Sequence, residues 1–338
     1  MVRKLLIFIA ALIALCGCQH KDLCYLHPHT IPIRVNVDWE QFRQKEEPTG
    51  MTVMAFPQNG GEPVTVLSNT LTHTDLYLSA GFYNSIVFNQ SVTEFGTLEF
   101  RNMDKYKEAE VTVGPAPTKW YTTRADDERT AYEPEWFGTS TVEGTEVTEE
   151  MIEDIGHIHH MGVRGNYAVD LIYHTPENVV YTVKVFVHLK NIYNLRSARA
   201  ALSGMSEGYK FSEGKASSQK VTHLLEEWKL VQDIQDPTKG YIETTLQCFG
   251  LPAGHTAAAE ENILYLELLL VDNKTIIDCP MEAGNKFVKI GDHNQLELHL
   301  ILEIENPLPD VKPESGSSGG FDATVEDWGD EIEHQITI

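Results

Sequence analysis

The sequence predicts an all-β protein, and the alternation of apolar and polar residues is the first reason. From Ile31 to Trp39 every second residue is apolar, which is typical of a strand with one buried face. The same alternation runs from Leu296 to Ile304. Two other segments, 179–189 and 263–271, are apolar on both faces, which predicts central strands packed between layers.

Turn signals and chain length predict that these strands form two sandwiches. Turn residues follow strand-like runs at Asn59-Gly60-Gly61, Asp272-Asn273-Lys274 and Gly291-Asp292, at the spacing of antiparallel sandwiches. The 338 residues exceed what one small core usually serves, so two domains are expected. We expect a first sandwich with an acidic connector over residues 31–155 and a second sandwich over residues 156–306.

Two segments depart from this pattern. The stretch 126–154 carries eleven acidic residues and one arginine, which predicts a solvated connection between the sandwiches with at most a short edge strand. Residues Ser217 to Gln235 partly fit a helical apolar stripe but lack a clear end signal. Helical and non-helical structure therefore both remain open for this segment.

The end of the sequence combines a linker with strand-like segments. Prolines and a Ser/Gly run at 315–320 predict a flexible linker within residues 307–338. After it, one face of a predicted partner strand carries Ile332, His334, Ile336 and Ile338. Such a strand can dock on the protein's own second sandwich or be donated to a neighbour, and the short linker favours docking within the chain.

The first residues predict export and lipid attachment. Two basic residues precede an apolar run, Leu5 to Leu15, that is too short to span a bilayer. Cys18 follows the small residue Gly17, as in a lipoprotein signal. We expect residues 1–17 to be removed as a signal peptide, Cys18 to be lipidated and residues 18–30 to form a tether. The alternatives are an ordinary secretory signal or an N-terminal membrane anchor.

Net charge limits the partners of the protein. The chain has 26 Lys and Arg against 50 Asp and Glu, and loss of residues 1–17 would change the net charge from −24 to −26. Such a surface repels nucleic acid and anionic headgroups, so we expect no nucleic-acid partner and attachment to the outer membrane through the lipid. Gln19, in place of Asp, favours the outer membrane, and Lys21-Asp22 resembles the signals that export such lipoproteins to the cell surface.

Candidate catalytic chemistry is sparse. The segment Gly204-Met205-Ser206-Glu207-Gly208 matches the G-x-S-x-G elbow of serine hydrolases. That elbow needs a helix immediately after the serine, and the following residues lack a helical start. A glycine-rich turn is favoured, and we expect no catalytic residue and no enzymatic activity.

Two histidine groups are candidate metal ligands. On a strand, His157 and His159 would share a face near Glu153 or Asp154, yet their spacing matches no established metal site. The second group lies in the tether and consists of His20, Cys24, His27 and His29. We expect no metal and no cofactor at either group.

Three cysteines remain after lipidation of Cys18, namely Cys24, Cys248 and Cys279. In an exported protein, one disulfide between Cys248 and Cys279 is the natural pairing. Three free thiols are an equal alternative, because a chain of this length can bury a core without disulfides.

Four segments carry a resemblance to one protein family: Cys18 to Trp39, Asn194 to Met205, Glu243 to Pro252 and Gly320 to Gly329. They resemble Bacteroidetes envelope lipoproteins of unassigned function, relatives of the fimbrillin-type proteins that include lipid-anchored minor and anchor subunits of fimbriae. The resemblance implies two tandem transthyretin-like, Greek-key β-sandwiches, a lipid anchor, fimbrillin-type subunits as partners, and a role in adhesion or fimbrial assembly. It implies no catalytic residue. No clear basic cleavage site precedes the second strand, which favours an anchor, cap or stand-alone lipoprotein over a shaft subunit.

A surface glycan-binding lipoprotein is the alternative function. Trp120, Tyr121, Trp136 and Phe137 would serve as stacking platforms if their rings were exposed and coplanar. If the rings are buried between the sandwiches, they are packing residues of a hinge. We expect burial, because aromatic side chains dominate protein cores.

Overall fold

The computed structural model describes residues 29–121, 128–160, 167–291 and 296–314. These residues form twenty-two β-strands, one α-helix and three 3-10 helices, at Phe42–Gln44, Ile192–Asn194 and Ala259–Glu261. No helix among them is long and apolar enough to cross a membrane. The prediction of an all-β chain of sandwich-like sheets is confirmed.

The first half of the chain contains eleven strands and the α-helix. In chain order these elements are β1 (Ile31–Val37), β2 (Met51–Pro57), β3 (Val64–Ser68), β4 (His73–Leu78), β5 (Gly81–Asn89), β6 (Leu98–Arg101), β7 (Glu110–Val113), β8 (Arg129–Ala131), β9 (Gly138–Val147), α1 (Glu149–His160), β10 (Val169–His174) and β11 (Glu177–Asn178).

The second half contains the other eleven strands. They are β12 (Tyr181–Lys190), β13 (Leu195–Ser206), β14 (Gly208–Lys210), β15 (Lys215–Ala216), β16 (Lys220–Leu225), β17 (Lys229–Gln232), β18 (Lys239–Cys248), β19 (Ile263–Leu270), β20 (Ile276–Glu282), β21 (Phe287–Ile290) and β22 (Glu297–Glu303).

The first sandwich packs two sheets around one apolar core. One sheet has the strand order β10-β1-β4 and the other β11-β9-β5-β2-β3. On β1, the alternating residues Ile31, Ile33 and Val35 are fully buried. They pack against Val53 and Val87 of the opposite sheet. The predicted strand with one buried face is therefore confirmed at β1.

The prediction that the stretch 126–154 is a solvated connection is wrong for its described part, residues 128–154. Strand β9 lies within it and pairs with β5 in the interior of a sheet. Thr139 and Val147 on β9 are buried, whereas Glu143 and Glu146 point to water. Glu143 and Glu146 occupy the wet face of a half-buried strand, which a charge count alone does not distinguish from a linker.

The segment around His157 and His159 is helical, which corrects its assignment as a strand. Helix α1 begins after Thr148, whose side-chain oxygen accepts a hydrogen bond from the Met151 backbone N–H at 3.2 Å. Ile152 and Ile155 pack on the first core. The predicted end of the first sandwich is residue 155. Strand β10 follows that point and pairs in parallel with β1, so the first sandwich continues beyond residue 155.

The second sandwich packs the sheet β17-β18-β12-β22-β21 against the sheet β20-β19-β13-β16-β8. Both segments predicted as central strands, at β12 and β19, lie inside these sheets rather than at an edge. The core between the sheets includes Val185, Leu266 and Leu300, which are at most 1% exposed. On β22 the predicted alternation is confirmed, with Leu298, Leu300 and Leu302 buried.

The helical alternative for Ser217 to Gln235 is wrong, because this segment forms β16 and β17. On β16, Val221, His223 and Leu225 alternate on a buried face. Trp228 follows in a bend and donates its indole N–H to the Leu225 carbonyl oxygen at 2.9 Å. The same apolar residues fit a period of two as well as a helical stripe, and core packing selects the strand.

The two halves of the chain share a sheet and a core. A four-stranded sheet, β15-β14-β7-β6, takes two strands from each half. Strand β8 joins the second sandwich by pairing in parallel with β16. Between them lies an aromatic cluster that includes Phe88, Phe137 and Phe211, with ring centroids 5.6 to 6.1 Å apart.

Candidate functional site

The G-x-S-x-G segment is a structural junction between β13 and β14. Ser206 ends β13, is fully buried, and has its Oγ 3.0 Å from the carbonyl oxygens of Gly208 and Ser217. Gly204 has φ +75°, and a Cβ there would lie 2.1 Å from the Glu261 carbonyl oxygen. A buried serine with its hydroxyl bonded to backbone is not a nucleophile. The interpretation of the motif as a structural turn agrees with this geometry.

Glu207, in the middle of the same segment, connects the two halves. Its carboxylate accepts hydrogen bonds from Arg129 on β8 at 2.8 Å and from Arg101 on β6 at 3.1 Å. The Glu207 side chain is 10% exposed, and those of the two arginines are about one-third exposed. The backbone of Glu207 also takes part in the contact, since its carbonyl oxygen accepts a hydrogen bond from the Val113 N–H. Sequence reasoning missed this residue because the partners lie far apart along the chain.

Glu128 holds the other side of the junction. One oxygen of its carboxylate accepts hydrogen bonds from the Gly204 backbone N–H at 2.9 Å and from the Thr222 hydroxyl at 2.6 Å. Strand β13 has a bulge between Leu202 and Met205 where it pairs with β16, and Glu128 ties this bulge to β16. Charged residues of the acidic stretch thus make specific contacts between the halves.

The aromatic residues proposed as a glycan platform do not form one. Phe137 is fully buried in the shared core, and Trp136 packs partly against it. The rings of Trp120 and Tyr121 are half-buried and meet at 63°, and the Arg199 guanidinium lies 4.5 Å from the Trp120 ring centroid. The condition of exposed, coplanar rings is not met at these four residues.

The candidate metal ligands are only partly described. The backbone of α1 includes His157 and His159, while the side chains of residues 156–160 lie outside what the structure describes. His29 is exposed, and the other three members of the tether group lie outside the described residues. Among described side chains, no group of three or more His, Cys, Asp or Glu is arranged to hold a metal ion.

The two described cysteines are free thiols. Cys248 is buried in the second core, and burial raises its pKa to about 12. Cys279 is half-buried, and burial raises its pKa to about 11. Neither is a reactive thiolate at neutral pH.

The two site predictions at the chain ends fall outside the described residues. They are the lipidated cysteine, Cys18, and the partner strand with Ile332, His334, Ile336 and Ile338.

An apolar band crosses the outer face of the sheet β17-β18-β12-β22-β21. We define the band by one residue from each strand: Val231, Tyr241, Phe186, Ile301 and Val288. Ile301 and Val288 are each 49% exposed. The Phe186 ring lies 5.9 Å from that of Tyr241 and 5.4 Å from that of His299, at angles of 67° and 60°.

Ion pairs flank the apolar band. Lys184 pairs with Glu297 at 3.0 Å, Lys229 with Glu243 at 3.2 Å and Lys190 with Glu303 at 3.9 Å. The three pairs together carry no net charge, whereas the whole chain carries a net charge of −24.

A groove of about 1360 Å³ opens at one end of the apolar band. Its walls include His188 and Lys190 of β12, Tyr241, Ile301 and the β17–β18 turn, in which Ile234 is 98% exposed. Sequence reasoning missed both the band and the groove, because it placed β12 between two layers.

Comparison with known families shows to which family the chain belongs. A family model described as a domain of unknown function, DUF5119, matches residues 17–226. The chain belongs to this DUF5119 family. The match begins at the predicted lipidation segment and ends just after β16.

Three solved structures are similar to the chain at low sequence identity. A candidate adhesin from Bacteroides ovatus ATCC 8483 is 15% identical, with a TM-score of 0.50 over 87% of this chain and 99% of that chain. The fimbrial anchor protein Mfa2 from Porphyromonas gingivalis is 12% identical, with a TM-score of 0.47 over 81% of this chain and 90% of that chain. A candidate polysaccharide-binding protein from Bacteroides thetaiotaomicron VPI-5482 is 8% identical, with a TM-score of 0.45 over 80% and 90% of the two chains. A search of curated proteins found no match. The resemblance to Bacteroidetes adhesins is confirmed for the fold by the Bacteroides ovatus structure.

Proposed function

We propose that this DUF5119 protein is a cell-envelope component that acts in adhesion or fimbrial assembly through protein–protein contacts. The main support is the junction at Gly204–Gly208. This segment matches a catalytic motif in sequence, but its residues join the two sandwiches. Glu207 and Ser206 are both engaged in bonds that hold strands together. A scaffold of this kind fits a structural role, and the Bacteroides ovatus structure that shares its fold is described as a candidate adhesin.

The membrane attachment of the protein is part of the same proposal. Cys18 would carry the lipid, and residues 18–30 would connect it to β1, which begins at Ile31. The acidic body would stand off the outer membrane in water, because it repels anionic headgroups. Fimbrillin-type subunits are the proposed partners. The ring geometry at Trp120 and Tyr121 gives no support to the alternative of glycan binding.

Gene deletion with complementation tests the proposal. We expect the deletion strain to lose adhesion or surface fimbriae, counted as attached cells and by electron microscopy. A chain with Ser206→Ala should restore both, because the serine has no catalytic role. A strain that keeps its adhesion and fimbriae after deletion, or a failure of Ser206→Ala at wild-type protein level, would contradict the proposal.

A further inference from the structure

The apolar band lies on the face of its sheet that the described residues leave uncovered. One face of β12 packs into the core through Val185 and Val187, as expected for a sandwich. The other face carries Phe186, beside Ile301 of β22, and its remaining residues are polar or charged. Large apolar side chains are nevertheless exposed on this side of the sheet, since Ile301 and Val288 are each 49% exposed and Ile234 is 98% exposed. They form an apolar surface that a further segment can cover.

Charge and ring geometry restrict what can cover that surface. A glycan stacks best on coplanar rings, but the Phe186 ring meets the Tyr241 ring at 67° and the His299 ring at 60°. A second copy would bring another chain of net charge −24. A segment tethered to the same molecule avoids the cost of bringing two acidic bodies together.

The described chain ends at the same end of the second sandwich as the groove. After β22, the Ile304 N–H donates to the His188 carbonyl oxygen at 3.0 Å, and the Leu308 N–H donates to that of Lys190 at 3.0 Å. His188 and Lys190 also line the groove. At the last described residue, the Glu314 N–H donates to the Val271 carbonyl oxygen. Val271 follows β19, so the exit lies beside the opposite sheet, at the same end of the sandwich as His188 and Lys190. The segment therefore has to cross that end of the sandwich to reach the groove.

The following residues match the band in pattern. Residues 315–338 contain six acidic residues and no Lys or Arg, so most of the acidic surface would repel them. As a strand, residues 331–338 would place Ile332, His334, Ile336 and Ile338 on one face and direct Glu331 and Glu333 to water. The 24 residues can span up to about 80 Å when extended, far more than the groove requires.

We infer that residues 329–338 dock in cis in the groove beside β17, with their isoleucines against the apolar band. Ile234, Tyr241 and Ile301 supply the receiving surface. The groove is lined by four acidic residues and three lysines, so the acidic segment meets less repulsion there than on most of a chain with net charge −24. A short flexible linker gives an effective concentration of the millimolar order, which favours docking on the same molecule over donation to another. The inference concerns the position of this segment and does not depend on the proposed role in adhesion.

Cysteine cross-linking in the soluble full-length chain tests the inference. The chain begins after Cys18, carries Cys24→Ser, and receives the pair Ile234→Cys and Ile336→Cys. Ile234 is almost fully exposed, so its replacement leaves the fold intact. The native thiols react slowly, because burial raises the pKa of Cys248 and Cys279. The matched control pairs Ile336→Cys with Leu67→Cys, which is 60% exposed on β3 of the first sandwich.

With a short bis-maleimide at low protein concentration, we expect at least tenfold more intramolecular product from the Ile234 pair than from the Leu67 pair. Adding Ile301→Asp to the Ile234 pair should lower that yield several-fold. Cross-linked dimers as the main product would show that the segment is donated to a neighbour and would overturn the inference. Equal yields from the two pairs, or no product from either, would overturn it as well. None of these outcomes bears on adhesion, which the deletion strain tests separately.

Discussion

The carboxylate of Glu207 lies 2.8 Å from the guanidinium of Arg129, and this contact joins the two halves of the chain. Glu207 stands between β13 and β14, whereas Arg129 begins β8. Arg101, at the end of β6, approaches the same oxygen at 3.1 Å. A carboxylate that is nearly buried and bonded to two arginines couples the strands that carry all three residues. Loss of its charge would leave two guanidinium groups without their shared anion.

We predict that Glu207→Gln destabilises the protein by about 2 kcal/mol, because it removes charged hydrogen bonds at a partly buried site. Urea unfolding of the soluble chain measures this as a lower midpoint. The matched control is Glu213→Gln, which breaks the exposed pairs with Lys210 and Lys215. We expect no measurable change there, because solvent screens exposed pairs. Equal midpoints for the two variants would show that the Glu207 contact contributes nothing.

The buried histidines predict a loss of stability in mild acid. Burial lowers the pKa of His174 and of His223 to about 4 each. The unfolded chain binds these protons near pH 6.5 and the folded chain only near pH 4. The free energy of unfolding should therefore fall as the pH drops from 6.5 to 4, by about 3 kcal/mol for each histidine, and be fully retained above pH 6.5.

Replacement of one histidine tests the pH dependence. No ring nitrogen of His223 has a well-aligned hydrogen-bond partner among the described residues, and only the Ala131 backbone on β8 interacts weakly with the ring, so His223→Leu removes the titrating group at little cost in hydrogen bonding. We expect this variant to lose about half of the dependence between pH 6.5 and 4, measured by urea unfolding at several pH values. The exposed control His73→Leu should keep the full slope. An unchanged slope in His223→Leu would contradict the prediction.

Much of the fold follows from local pattern, and the failures share one physical cause. The alternation at Ile31–Val37 and Glu297–Glu303 identifies strands because each has one wet face. The same reasoning failed at β9, where acidic residues on the wet face hid Thr139 and Val147 on the buried face. It also failed at β16, where a period of two and a helical period fit the same apolar residues. Tertiary packing decides such cases, and it is invisible in a short window.

The candidate sites were less predictable than the fold. The G-x-S-x-G segment could be excluded as an elbow from its missing helix alone. Its true role depends on Arg101 and Arg129, which lie 106 and 78 residues away in the chain. The apolar band likewise takes one residue from each of five strands. A single sequence does not specify which strands become neighbours, so neither feature could be derived from it.

Ser206→Ala should leave binding and adhesion unchanged while lowering stability slightly. The substitution removes one buried hydrogen bond from the Ser206 hydroxyl, worth about 1 kcal/mol. Thermal unfolding should show a small decrease in melting temperature. A fluorophosphonate probe should leave Ser206 unlabelled, because the side chain is fully buried and its hydroxyl is bonded to backbone. Labelling at Ser206 in the folded protein would revive the hydrolase hypothesis.

Lipid anchoring predicts a change of compartment when Cys18 is replaced. With Cys18→Ser and Cys16 left intact, the mature protein should move from the detergent phase and membrane fraction to the aqueous fraction. The control is Cys24→Ser, which should remain in the membrane fraction. A Cys18→Ser protein that still partitions into detergent would show that another segment holds it to the membrane. Protease treatment of whole cells then reports whether the body faces outward.

The last prediction concerns deletion of Gly329 to Ile338 from the soluble chain. If these residues cover Phe186, Tyr241 and Ile301, their loss exposes apolar surface and removes the contacts that it makes. We expect the melting temperature to fall by about 2 °C, as a loss of one to two kcal/mol gives in a chain of this size. The intact chain should be monomeric by sedimentation, because docking on the same molecule satisfies the band. An unchanged melting temperature together with loss of binding to a partner subunit would instead identify the segment as a strand donated in trans.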